Sequence, residues 1–136
     1  NLCTLGFLVL RPPQGQQQRQ GPDRLIIEGL RLNESQIEQF RELKEEHHSQ
    51  MQQRDRLQKD SQQRLWQLLR LSAPDTAQAT ALIDTFLVLE KEKKKLTFDH
   101  FRKLRAMCDP EQKVLFDSLI GQIGRALMPP PRGPQK

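Results

Sequence analysis

The residues best suited to chemistry in this sequence are two histidines, a methionine and a nearby carboxylate. His47 and Met51 are four residues apart, so they share one face of any helix that contains them. Imidazole nitrogen suits Ni, Co, Cu and Zn, while a thioether favours softer ions. We therefore predict a site for one divalent transition metal at His47, Met51 and His100. Glu46 and Glu45 are the nearby carboxylates most able to complete it, and only one of them can face the site.

The pairing of His47 with His100 depends on an antiparallel helical hairpin. Two long helical stretches are separated by a break at residues 72–75, and helices joined by a short loop pack antiparallel. With the loop centred there, residues whose numbers sum to about 147 lie opposite each other, as His47 and His100 do. A solvated helix face, or a polar hydrogen bond between the helices, explains the same histidines. Both interpretations remain open at this stage.

No set of residues in the sequence is typical of an active site. The sequence lacks a Gly-rich phosphate loop, a nucleophile elbow and a Cys-x-x-Cys pair, and nothing would orient Cys108 and His47 for nucleophilic catalysis. Cys3 and Cys108 are far apart and do not form a disulfide framework. Cys108, just before a predicted helix, is either a packing residue or a reactive thiol. We predict that the protein is not an enzyme.

Composition indicates a thin fold. Only 35% of the 136 residues are hydrophobic and the mean hydropathy is −0.74, whereas compact domains are about 45–50% apolar. Each helix should therefore bury a single stripe, and a core this small favours association, so we expect a homodimer. The net charge of +5 comes from basic residues interleaved with acidic ones and without aromatic platforms, which argues against nucleic-acid binding.

The chain divides into four parts. Residues 1–10 are almost entirely apolar, and we interpret them as the end of a membrane anchor or signal segment. Residues 11–22 (RPPQGQQQRQGP) contain no aliphatic side chain and are predicted to be a flexible linker. Residues 23–128 form the predicted helical domain, and the Pro-rich residues 129–136 are predicted to be a disordered tail.

Helix boundaries within the domain follow from capping residues. Asp23 is predicted to begin a short first helix, and Asp75, directly after Pro74, to begin the third. Two capping boxes begin the other helices. The predicted helices extend over approximately residues 23–30, 34–71, 76–107 and 110–128.

The two capping boxes are similar to each other. The first is Leu32-Asn33-Glu34-Ser35-Gln36 and the second is Cys108-Asp109-Pro110-Glu111-Gln112, and in each a Phe follows four residues beyond the Gln. Together with the hairpin, they resemble the bacterial periplasmic Spy/CpxP family, whose signature is a repeated Leu-Thr-x-x-Gln. Over residues 23–127 the chain looks most similar to the membrane-anchored heavy-metal sensor branch typified by CnrX. It departs from the signature where Asn33 replaces Thr and where Cys108 and Asp109 replace Leu and Thr.

The resemblance implies an all-α fold, an elongated four-helix bent hairpin that dimerises into a cradle. A CnrX-type site draws His, Glu and Met ligands from facing helices, which is similar to the set described above. The implied function is a periplasmic heavy-metal sensor or resistance protein, anchored to the inner membrane. It would signal to an anti-sigma or sensor partner in that membrane. The alternative is an ATP-independent chaperone that holds unfolded periplasmic proteins.

Overall fold

The computed structural model describes residues 14–127, with side chains from residue 23 to residue 125. Over this range the chain forms four α-helices and no strand: α1 (Gln14–Gly29), α2 (Glu34–Leu68), α3 (Thr76–Ala106) and α4 (Pro110–Leu127). The prediction of an all-α helical hairpin is confirmed. The predicted anchor or signal segment at 1–10 and the predicted tail at 129–136 lie outside the described residues. None of the four helices is long and apolar enough to cross a bilayer.

The helices form two compact units. The hairpin unit is Ser35–Met107, which contains nearly all of α2 and all of α3. The terminal unit combines the chain up to Glu34 with the chain from Cys108 onward, so it contains α1 and α4. The histidines considered above both belong to the hairpin unit.

The start of the first helix corrects one prediction. We expected a linker to Pro22 and a helix from Asp23, but α1 begins at Gln14 and continues through both residues. The segment before Pro22 is rich in Gln, which forms helix well despite being polar. A lack of aliphatic side chains therefore indicated a weakly buried segment, but it did not indicate a non-helical one.

The hairpin loop follows from local backbone and capping interactions. The second helix ends at Leu68, three residues before the predicted end, because the N–H groups of residues 69–71 donate to carbonyls three residues earlier. Such tight turns commonly end a helix. Asp75 then accepts hydrogen bonds from the backbone of Ala77 (2.9 Å) and Gln78 (3.1 Å), so its predicted role as the cap of α3 is confirmed.

The second capping box is confirmed in full. Asp109 accepts from the backbone N–H of Gln112 at 2.8 Å, and Gln112 accepts from the backbone N–H of Asp109 at 2.9 Å. The Gln112 amide also donates to the carbonyl of Arg31, whose φ of 51° places it in the left-handed region. Gln36, the matching residue of the first box, donates in the same way to the carbonyl of Met107. The two boxes thus make equivalent long-range hydrogen bonds, one in each unit.

The terminal unit contains one buried residue from each capping box and a close contact between two helices. Leu32 and Cys108, the first residues of the two boxes, are both buried. Burial agrees with a packing role for Cys108. In the same unit α1 contacts α4, and a Cβ placed on Gly29 would lie 2.6 Å from a methyl carbon of Leu119. The close approach of these helices therefore depends on a glycine at that position.

The hairpin unit combines an apolar core with a buried polar layer. Phe40 and Leu104 are fully buried towards the end of the hairpin away from the loop, and Leu68 and Leu82 are buried near the loop. Between them Gln58 is buried and donates to the carbonyl of Phe86 and the carboxylate of Glu90, while Lys93 donates to its side-chain oxygen. Ser61, also buried, donates to the carbonyl of Leu82 at 2.8 Å. These bonds tie α2 to α3 in one antiparallel register.

Candidate metal site

The register of the hairpin brings His47 of α2 and His100 of α3 into contact. Their ring centroids lie 4.8 Å apart with the ring planes inclined by 34°. Phe40 and Phe101 lie on either side, with ring centroids 6.3 Å and 5.1 Å from that of His100. The two imidazoles therefore form a partly buried pair flanked by aromatic side chains.

Thr97 fixes the orientation of His47. Its hydroxyl donates to the carbonyl of Lys93 at 3.1 Å, and Nε2 of His47 lies 3.3 Å from the same oxygen. Because the hydroxyl proton is used by the carbonyl, Nε2 carries the proton of the ring and donates to Thr97. Nδ1 of His47 is then the nitrogen with the free lone pair. A hydrogen bond from the second ring nitrogen is the usual way in which proteins orient a metal-binding histidine.

His100 holds a ring nitrogen without a hydrogen-bond partner. Its Nδ1 is buried, and it is the one buried side-chain nitrogen or oxygen among the described residues that lacks a hydrogen bond. Most buried polar atoms in proteins are hydrogen-bonded, so such an exception indicates a functional role or an absent ligand. No sequence pattern indicates this feature, since it depends on what surrounds the ring.

Burial keeps both rings neutral. It is the main cause that lowers the pKa of His47, and the neighbouring His48 lowers it further. Burial also lowers the pKa of His100, with His47 as the second cause. A ring whose pKa falls below about 6.5 is deprotonated at neutral pH, which is the form that binds metal ions.

A cavity of about 170 Å³ adjoins the pair. Glu46, Gln50 and Asp99 line it together with the two histidines. Glu46 is held by Lys103, whose ammonium group lies 3.2 Å and 3.3 Å from its two carboxylate oxygens, and it also accepts from Gln50. The carboxylate is therefore near the imidazoles but is paired with a cation.

The structure separates the four predicted ligands. His47, His100 and Glu46 line one cavity, whereas Met51 is half-buried and is not among the residues that line it. Helical spacing places Met51 on the same face as His47, but it does not show which residues of that face line the cavity beside His100. Sequence reasoning missed Thr97, Gln50 and Asp99. The first of these lies one turn before His100, and that spacing was the available signal.

Comparison with known proteins identifies the family of the chain. The model of the heavy-metal resistance family matches residues 2–114. The chain belongs to the heavy-metal resistance family. The match includes the whole hairpin unit and both capping boxes, and it agrees with the resemblance to Spy/CpxP-like proteins. No curated protein and no solved structure matches the chain.

The histidine pair fits a transition metal in its donor chemistry, although a complete ligand set is not assembled. Two neutral imidazoles, one with an unpartnered buried nitrogen, suit Ni, Co, Cu or Zn. Among residues 14–127, no group of three or more His, Cys, Asp or Glu side chains is arranged to hold a metal ion. A third protein ligand would require a side chain to move, and Glu46 could do so by leaving Lys103.

Proposed function

We propose that this member of the heavy-metal resistance family binds a divalent transition metal through His47 and His100. The observation that carries the proposal is the partly buried pair of imidazoles at 4.8 Å, with the buried Nδ1 of His100 lacking a hydrogen bond. A metal ion would gain two neutral nitrogen donors that are already desolvated and, in His47, already oriented by Thr97. Glu46 is the candidate third ligand.

The charges around the cavity set the strength of such a site. Lys103 and Arg102 line it and disfavour a cation, while Glu46 and Asp99 favour one. If Glu46 is the third ligand, it must therefore break its ion pair with Lys103 and bind the metal instead. Both side chains are about half exposed, and an exposed ion pair contributes only about 0–1 kcal/mol, so the exchange costs little.

The proposal is tested by calorimetric titration of Ni and Zn into the wild type and single variants. His47→Ala and His100→Ala each remove one donor, and we expect each to weaken binding by at least about tenfold. His48→Ala is the matched control, because this neighbouring ring interacts with Gln52 at 2.8 Å and does not line the cavity. Unchanged affinity in both His47→Ala and His100→Ala, or an equal loss in His48→Ala, would refute the site.

We further propose that metal binding serves a CnrX-type sensor, anchored to the inner membrane in the periplasm and coupled to an anti-sigma or sensor partner. The family match supports a role in heavy-metal resistance, and the apolar residues 1–10 support an anchor. Cell fractionation tests the location. We expect the chain in the inner-membrane fraction after a high-salt wash, exposed to protease only from the periplasmic side; recovery in the cytoplasm would contradict this proposal.

A second candidate function is the chaperone-like binding of unfolded periplasmic proteins. It is favoured by an apolar groove of about 180 Å³ near the loop of the hairpin, lined in part by Trp66, Ile83 and Phe86. Trp66 is 60% exposed, which is unusual for so large an apolar side chain. If this groove holds unfolded chains, Trp66→Ser should abolish the suppression of client aggregation. Val114→Ser, which changes an equally exposed apolar residue of α4, should not.

We also propose a homodimer, since several large apolar side chains of the hairpin remain exposed. Among them are Leu69, Leu71 and Val88, each more than half exposed. Covering such residues is a common reason for small helical proteins to associate. Sedimentation equilibrium of the chain from Gln14 onward, which keeps α1 whole, should give twice the monomer mass at tens of micromolar. A monomer mass at that concentration would refute the dimer.

A further inference from the structure

The outward face of α3 combines cations with exposed apolar side chains. Its members recur three or four residues apart, as residues on one side of a helix do, and they are Leu87, Lys91, Lys94, Lys95, Phe98 and Arg102. All six are exposed, and the exposed fraction of Phe98 reaches 70%. We call this set the basic face of α3. Between Leu87 and Arg102 it extends over about 22 Å, from the helical rise of about 1.5 Å per residue.

The cations of the basic face are only weakly neutralised. Glu90 lies 3.5 Å from Lys94, and Asp99 lies 3.0 Å from Arg102. The side chains of Lys94 and Arg102 nevertheless remain 79% and 62% exposed, so these ion pairs are hydrated and easily exchanged for another anion. The face thus presents a concentration of positive charge around one exposed aromatic ring.

We propose that the basic face of α3 docks on an anionic phospholipid surface, with Phe98 entering the headgroup layer. Cationic side chains surrounding an aromatic or aliphatic residue are the pattern of helices that lie in the membrane interface. Each Lys or Arg near an anionic bilayer increases binding by about fivefold, and the exposed ring adds apolar burial. This inference does not rest on metal binding, because Arg102 is the one residue of the six that lines the histidine cavity.

The shape of the face favours a lipid surface over a peptide or a nucleic acid. The histidine cavity, the apolar groove and the cavity beside Glu42 and Met107 are not lined by Lys91, Lys94, Lys95 or Phe98. Peptides are usually held in grooves or at sheet edges, and a convex helix face offers neither. One aromatic ring also gives a single stacking platform, which is too few to follow a nucleic-acid strand.

The test is co-sedimentation of the full chain with vesicles of phosphatidylcholine and phosphatidylglycerol (70:30) and with pure phosphatidylcholine. The variant is Lys91→Gln/Lys94→Gln/Lys95→Gln, which replaces lysines with another good helix former. The matched control is Arg56→Gln/Lys59→Gln/Arg70→Gln, which removes the same charge from exposed positions outside α3. Residues 1–10 are present in every protein, so any contribution they make to binding is common to all.

The proposal predicts a specific loss on anionic vesicles. The partition coefficient should fall by about 100-fold in the lysine variant, from about fivefold per cation, and by less than about threefold in the control, whose charges act only at screened distances. Phe98→Ser should lower it several-fold, and pure phosphatidylcholine should not distinguish the proteins. Three results would overturn the proposal. The partition coefficient could fall equally in the two triple variants, it could be unchanged in the lysine variant, or the lysine variant without vesicles could differ from the wild type in sedimenting mass. The last result would assign the face to a second copy of the chain.

Discussion

Gln58 offers the sharpest test of how the hairpin holds its register. It is buried between α2 and α3 and makes three hydrogen bonds: to the Phe86 carbonyl at 3.2 Å, to the Glu90 carboxylate at 3.1 Å and from the Lys93 ammonium at 3.0 Å. Gln58→Leu keeps the volume and removes all three. Because two of the three partners are charged, the loss should exceed that of a single neutral hydrogen bond.

The magnitude follows from what remains after the substitution. Lys93 keeps its ion pair with Asp55 at 2.7 Å, and Glu90 is partly exposed, so neither charge is left isolated. We therefore expect the free energy of unfolding to fall by about 2 kcal/mol, from about 1–3 kcal/mol for a buried group that loses its partner. For a unit of this size the melting temperature should fall by about 10 °C. Gln63→Ala, an exposed position on the same helix, should change it by less than about 2 °C.

The assay is thermal unfolding monitored by circular dichroism over a range of pH. Gln58 is the largest cause that lowers the pKa of Glu90 below its ordinary value of about 4.5. A carboxylate with a lowered pKa stabilises the fold above the ordinary pKa, and this contribution is lost as pH falls through the folded value. The deficit of Gln58→Leu should therefore narrow in acid. A melting temperature equal to that of wild type, or a deficit that widens in acid, would refute the reasoning.

Three further predictions follow from the histidine pair, the helix contacts and the caps. Because burial lowers the pKa values of His47 and His100, the free energy of unfolding should be highest above about pH 6.5 and should fall as pH decreases below that value. In urea titrations the variant His47→Leu/His100→Leu should lose this pH dependence. Gly29→Ala should destabilise the protein by about 1 kcal/mol, because the added Cβ would clash with Leu119. Gly124→Ala, which has open space around its Cα, should stabilise it by about 0.5–1 kcal/mol. If chemical denaturation gives changes of the same sign for both variants, this prediction is wrong. Asp75→Ala should cost about 1 kcal/mol in the same assay, and no loss would mean that the cap is replaced by water.

Local chemistry explains which parts of the fold were predictable. Asp75, Asp109 and Gln112 form caps with partners at most three residues away, so their interactions follow from short sequence motifs. The pairing of His47 with His100 was also accessible, because a short loop fixes an antiparallel register to within about one helical turn.

The remainder depends on contacts between distant residues. That Gln58 is buried while its neighbours are exposed follows from its partners on α3, which no pattern within α2 could reveal. The unpartnered nitrogen of His100 is likewise a property of its surroundings. The start of α1 at Gln14 differs from the prediction for another reason: low hydrophobicity does not argue against helix, because Gln favours helix without needing burial.

The most direct test of the metal site is to observe the histidine rings while metal is added. Long-range ¹⁵N–¹H NMR spectra at pH 7 report each imidazole nitrogen separately, and His48 serves as an internal control beside the site. We predict that Zn shifts the ring nitrogens of His47 and His100 together and saturates at one equivalent per chain, with His48 unchanged. Shifts confined to His48, or to one ring of the pair, would contradict the proposal that His47 and His100 jointly bind the metal.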